Sequence, residues 1–206
     1  MSFVTTEHFT LQGARAATIA ESTSRATLFL GTMSAGMVAL GLVATATAIG
    51  AAFYTFGLIL LSTLSFIGFV TFDRVLQSGI EDLRYARRIE RLRSYYLDVA
   101  PELADYMASV PPSRRLALQG LHGGGWQVFR TVAGMIGVVT SVLTGSAAGL
   151  LAVLASGRSV VVGFAAGGAV GLAVLATLML YQYRTWGTAG QEPPSGREAG
   201  GPQADQ

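Results

Sequence analysis

Hydrophobic and polar positions alternate along this chain in long blocks. Residues 26–72 form a run of 47 without a charge, and residues 131–157 and 160–183 form two more, parted by a turn that carries Arg158. A helix rises ~1.5 Å per residue and a bilayer core is ~30 Å thick, so one span takes ~20 residues. The first run is therefore two spans, placed at 26–48 and 51–72. They are joined by a tight turn near Thr47 to Phe53, where Ile49, Gly50 and Ala51 offer flexibility, with Phe53, Tyr54 and Phe56 as an interfacial belt. The later runs supply a third and a fourth span, the fourth closed by Tyr181, Tyr183 and Trp186. The predicted fold class is all-α: a polytopic membrane protein whose four transmembrane helices form two hairpins joined by a helical cytosolic stalk. In order, the chain reads as a polar N-terminal segment (1–25) with a short helix over 11–21, hairpin 1 (26–72), a stalk module (73–125), hairpin 2 (126–186) and a tail (187–206). The tail is rich in Gly, Pro, Gln and Glu and is expected to be disordered.

The stalk is the charged part of the pattern. No proline interrupts residues 51–100, so the second span can run on into water as one helix of up to ~75 Å, with Gly57, Gly68 and Gly79 as its likeliest bends. Arg84, Arg87, Arg88 and Arg91 fall at i, i+3, i+4 and i+7 and line one side. They read either as a solvated face beneath an anionic leaflet or as a site for a phosphate-bearing ligand such as a nucleotide. Tyr85, Ile89, Leu92, Tyr96 and Val99 form a heptad-like apolar stripe, suited to packing on the chain's own next helix or to self-association. Beyond Pro101, brief helices over 101–110 and 114–121 lead to a hinge at His122, Gly123, Gly124 and Gly125, and Trp126 stands at headgroup level. A cytosolic part of this size buries little core alone, so contact between copies or with the membrane surface has to support it.

Inside lipid, helices associate by close packing, which favours small residues. Gly163, Gly167 and Gly171 in the fourth span and Gly145 and Gly149 in the third are candidate packing positions, either for these two helices against each other or for a homo-oligomeric seam. Polar side chains in the spans are read as Ser and Thr alone, satisfied by carbonyls one turn back. No Asp, Glu, His, Lys or Arg lies at mid-membrane, which argues against a proton relay, a voltage sensor or an ion-coupled transporter. A weakly selective pore lined by Ser, Thr and Gly in an oligomer is permitted.

Composition narrows the classes further. The chain has 206 residues, 51% hydrophobic and 13% charged, with mean hydropathy +0.49. A net charge of +2 is too small to argue for nucleic acid, and the absence of cysteine removes disulfides, thiolate metal sites and a Cys nucleophile. His8 and His122 are isolated, with no second ligand at metal spacing. Ser94, Asp98 and Ser113 form no triad, and the triple glycine before Trp126 lacks the GK[ST] of a phosphate loop. The chain is expected to be non-enzymatic, with no cofactor and no metal. All fourteen basic residues are arginine, a bias that fits a high-GC bacterial genome. Residues 73–130 hold nine of them and the two hairpin tips together hold one. By the positive-inside rule the middle segment and both termini are cytoplasmic, in the bacterial cytoplasmic membrane.

The segment VLQSGIEDLRYARRIERLRSYYLDVAPEL, residues 75–103, resembles one found in uncharacterised multi-span membrane proteins of high-GC Gram-positive bacteria. That family implies no established activity. More loosely, membrane hairpins carrying a small cytosolic helical module resemble the transmembrane effectors of bacterial nucleotide-signalling defence systems. The expected function is an oligomeric, signal-responsive or pore-forming membrane effector. The alternative is a passive scaffold or accessory subunit that docks a cytosolic protein through its arginines. Expected partners are the lipid bilayer, further copies of the chain, and a cytosolic protein or nucleotide.

Overall fold

The computed structural model describes residues 2–101 and 131–190. Among these, every regular element is helical: α1 (Ser2–Thr47), α2 (Ala51–Val99), α3 (Val132–Ala155) and α4 (Val160–Gly190). Each of the four is long and apolar enough to cross a bilayer.

The two tight turns owe their shape to left-handed backbone. Ala48 and Ile49 have φ of 47° and 57°, whereas Gly50 is extended at −84°. The reversal thus rests on two residues with a Cβ, one of them β-branched, and not on the neighbouring glycine. At the second turn the left-handed residues are Gly157 and Arg158, with φ of 67° and 74°.

α1 differs from the expected short helix over residues 11–21: one helix runs from Ser2 through Thr47. The polar stretch before residue 26 stays helical because its side chains are satisfied locally. Thr23 donates to the Ile19 carbonyl at 3.0 Å, Thr27 to the Thr23 carbonyl at 2.9 Å, and Arg25 pairs with Glu21 four residues back. The tail expectation also needs correcting at its start, since residues 187–190 continue α4. Thr185 and Thr188 tie their hydroxyls to carbonyls of the preceding turn there. The brief helices expected after Pro101, the hinge at residues 122–125, the Trp126 belt and the tail from residue 191 lie outside the described residues.

The helices are laid out in a row. α1 packs along α2, α2 along α3, and α3 along α4, while α1 and α4 have no extended contact. The core accordingly sits on the two middle helices, with Phe72, Leu76, Ile136 and Leu143 almost wholly buried. The outer helices contribute Ala26, Phe29 and Leu178.

Three glycines of α2, the expected bends, lie within one continuous helix and admit neighbours. A spacing of 11 residues is close to three full turns, so Gly57, Gly68 and Gly79 share one face. A Cβ at Gly57 would stand 3.0 Å from Leu150, one at Gly68 would press on Thr140, and one at Gly79 would stand 3.2 Å from the Trp186 ring.

Candidate functional site

Three places bear on function. The first is the arginine run of α2. Arg84, Arg88 and Arg91 are exposed and Arg87 is half-buried. The apolar stripe beside them is set differently from its expected register. Ile89 is buried, Tyr85, Leu92 and Tyr96 are half-buried and Val99 is exposed, whereas the continuous buried line is Leu76, Ile80, Leu83, Ala86 and Ile89. The described helix that accompanies this stretch is the preceding one. Arg15 of α1 grips Asp82 with both arms, Nε to Oδ1 at 2.6 Å and Nη2 to Oδ2 at 3.3 Å. The His8 ring meets Tyr96 edge-on at 6.4 Å. His8 also bonds Gln12 through Nε2 at 2.8 Å. No group of three potential metal ligands occurs among the described residues.

The second place is the contact between α3 and α4. Gly145 and Gly149 face Gly163, Gly167 and Gly171 within one chain. A Cβ at Gly145 would lie 2.6 Å from the Gly167 carbonyl oxygen, and one at Gly149 would lie 2.8 Å from that of Gly163. At Gly171 the nearest atom is the Ser141 carbonyl oxygen at 3.2 Å. Backbone is therefore in contact with backbone, the arrangement that dispersion favours where burial of apolar area has no driving force. An apolar groove of about 470 Å³ follows the same pair of helices on its open side, bordered by Val142, Ser146, Phe164, Gly168 and Leu172.

Hydroxyls in these helices behave as small groups. Thr32, Ser34, Thr63, Thr140, Ser141, Thr144 and Thr177 each donate to the carbonyl four residues back, at 2.7–2.8 Å. Ser65 is buried without a partner for its hydroxyl. Gln182 corrects the reading that the spans hold only Ser and Thr as polar residues. It lies one residue inside the expected end of the fourth span, is 1% exposed, and donates from Nε2 to Thr131 Oγ1 at 2.9 Å. Thr131 is the N-cap of α3 and also accepts the Gly134 N–H at 3.0 Å. A Gln near the end of an apolar run was visible in the sequence, but its partner, 51 residues away, was not.

The third place had no local signal. A cavity of about 250 Å³ is bounded by all four helices, among them Thr18 and Ser22 of α1, Ser78 and Asp82 of α2, the first turn of α3, and Trp186 of α4. It brings α1 and α4, the two ends of the row, to one space. Trp186 fits there because Gly79 has no side chain, and its indole N–H is buried without a hydrogen-bond partner.

Comparison with known proteins finds no matching family model, no matching curated protein and no matching solved structure.

Proposed function

We propose that this chain is a non-enzymatic integral membrane protein that works as an oligomer, its arginine-bearing end receiving a signal and its spans responding by opening a conduit. In this reading the helices form two hairpins in the bacterial cytoplasmic membrane, with the arginine-rich end of α2 and both termini inside. The observation that carries it is the make-up of the two outermost helices. The outward side of α4 presents Ala165, Gly168, Ala169, Ala173 and Thr177 beside Leu172 and Leu180, and that of α1 presents Gly31, Ala35, Gly41 and Thr45 beside Val38 and Leu42, all exposed. Nothing lies within 4 Å of the positions a Cβ would take at Gly31, Gly41 or Gly168. Small residues let another helix approach closely, and lipid tails fill such faces less well than a helix does.

A contact between α1 of one copy and α4 of the next is heterologous, so repeated turns close into a ring or extend as a filament. A ring places the Ser and Thr side chains of the edge helices at the contacts between subunits. The continuity of α2 from its apolar half into the arginine run supports coupling between the exposed charges and the spans.

The absence of cysteine makes the test direct. Ala35→Cys and Ala169→Cys, expressed in the same membrane as separate single-cysteine chains, should cross-link to each other on mild oxidation. Full-length protein in liposomes should then release a trapped dye when nucleotides are offered at the arginine-bearing side. Chains that stay monomeric and vesicles that stay tight under every nucleotide would rule the reading out.

A further inference from the structure

The four-helix cavity is a site for which no role follows from the oligomer reading, and we infer that it binds the headgroup of an aminophospholipid through its primary ammonium. Its position is the first reason. Every described lining residue lies ten residues or fewer from the end of one of the uncharged runs, all on the same side of the four apolar segments. At ~1.5 Å per residue that is the headgroup level of one bilayer face and the water just beyond it.

Its chemistry is the second reason. The hydroxyls of Thr18, Thr23 and Ser78 donate to their own helices, to the carbonyls of Ala14, Ile19 and Arg74 at 3.0–3.1 Å. What each has left for a ligand is an oxygen lone pair. The Asp82 carboxylate has about four acceptor positions, and Arg15 occupies one on each oxygen. Trp186 lines the same cavity. Beside these acceptors stands one buried donor without a partner, the Trp186 indole N–H, so the lining asks for a ligand that brings several N–H groups and an acceptor oxygen. An ethanolamine phosphate brings both, whereas a trimethylammonium has no N–H to give.

The Arg15–Asp82 pair sets the charge. Because Asp82 is already neutralised, the site has no net negative charge to hold a bare cation. A zwitterion that presents an ammonium to Asp82 and leaves its phosphate toward solvent costs less to seat. Seated there, the headgroup touches α1 and α4 together and clasps the two ends of the helix row.

The test uses the full-length chain, delipidated in detergent and titrated with short-chain phosphatidylethanolamine, phosphatidylcholine and phosphatidylglycerol, with binding read by calorimetry and native mass spectrometry. One equivalent of the ethanolamine lipid should bind at least about tenfold more tightly than either of the others. Asp82→Asn should remove that preference. Since this variant also loosens Arg15, Ser22→Leu serves beside it, because it fills the cavity and leaves the ion pair intact. It should abolish the preference with helix content and melting temperature unchanged. Equal affinity for the three lipids overturns the proposal, as does a preference that survives both substitutions. Soluble phosphoethanolamine is the remaining arm: if it binds as tightly as the lipid, the ligand is a free amine and the lipid assignment falls.

Discussion

Helix α4 offers two faces built from small residues, and only one of them is filled. On the inner face Gly163, Gly167 and Gly171 meet α3 backbone to backbone; on the outer face Ala165, Ala169, Ala173 and Thr177 recur at the same four-residue interval and are exposed, with Leu172 and Leu180 beside them. The spacing is identical and the side chains are nearly so. What separates them is the last methyl group. Where carbonyl oxygens stand 2.6–2.8 Å from a prospective Cβ, only glycine is tolerated, whereas the exposed positions accept a methyl group.

The sharpest way to break this comparison is Gly145→Leu. Its side chain would collide with the Gly167 carbonyl and the Gly171 backbone, which cannot move aside as a flexible side chain would. We expect a loss on the order of 3 kcal/mol, at the upper end of overpacking costs, seen as a lower melting temperature in detergent. Leucine at Ala169 should leave the melting temperature of the monomer nearly unchanged, so the two faces part on this measurement alone.

A smaller effect is expected at the ion pair between α1 and α2. Arg15 and Asp82 keep 24% and 14% of their side-chain surface exposed, so solvent screens part of the attraction. Arg15→Ala should cost about 1.5–3 kcal/mol before that discount, the range for a hydrogen-bonded charge. Proteolysis should then cut faster within the first 25 residues, and an unchanged digestion pattern would separate the two helices here.

Next in size is the outer face itself. Ala169→Leu should weaken self-association by about tenfold, read by single-molecule photobleaching in bilayers. An unaltered oligomer distribution would reassign that face to lipid. The smallest effect belongs to Arg88→Gln. The position is exposed, so the fold should stand, while binding of the protein's arginine-bearing face to anionic vesicles should fall by about fivefold.

Legibility in the sequence followed the range of the interactions concerned. Runs without charge, the breaks at residues 48–50 and 156–159, and the back-bonding of Thr and Ser are local, and each was readable from a window of a few residues. Register was harder. The stripe through Tyr85, Leu92 and Tyr96 obeys a heptad as well as the line through Leu83, Ala86 and Ile89 does, and only the position of the neighbouring helices selects the second. The start of α1 is less legible for a related reason: beside its local hydroxyl bonds it is tied to α2 through Arg15, whose partner Asp82 lies 67 residues away.

By itself the sequence determined that four apolar helices exist, where two of their turns fall, and that charge is concentrated after the second, because hydropathy and helix length are properties of single segments. Tertiary structure alone decided that the helices stand in a row, which glycines are filled and which are open, and that Thr18, Asp82, Thr131 and Trp186 share one cavity. Those outcomes depend on the relative rotation of helices, which the composition of any one helix leaves undetermined.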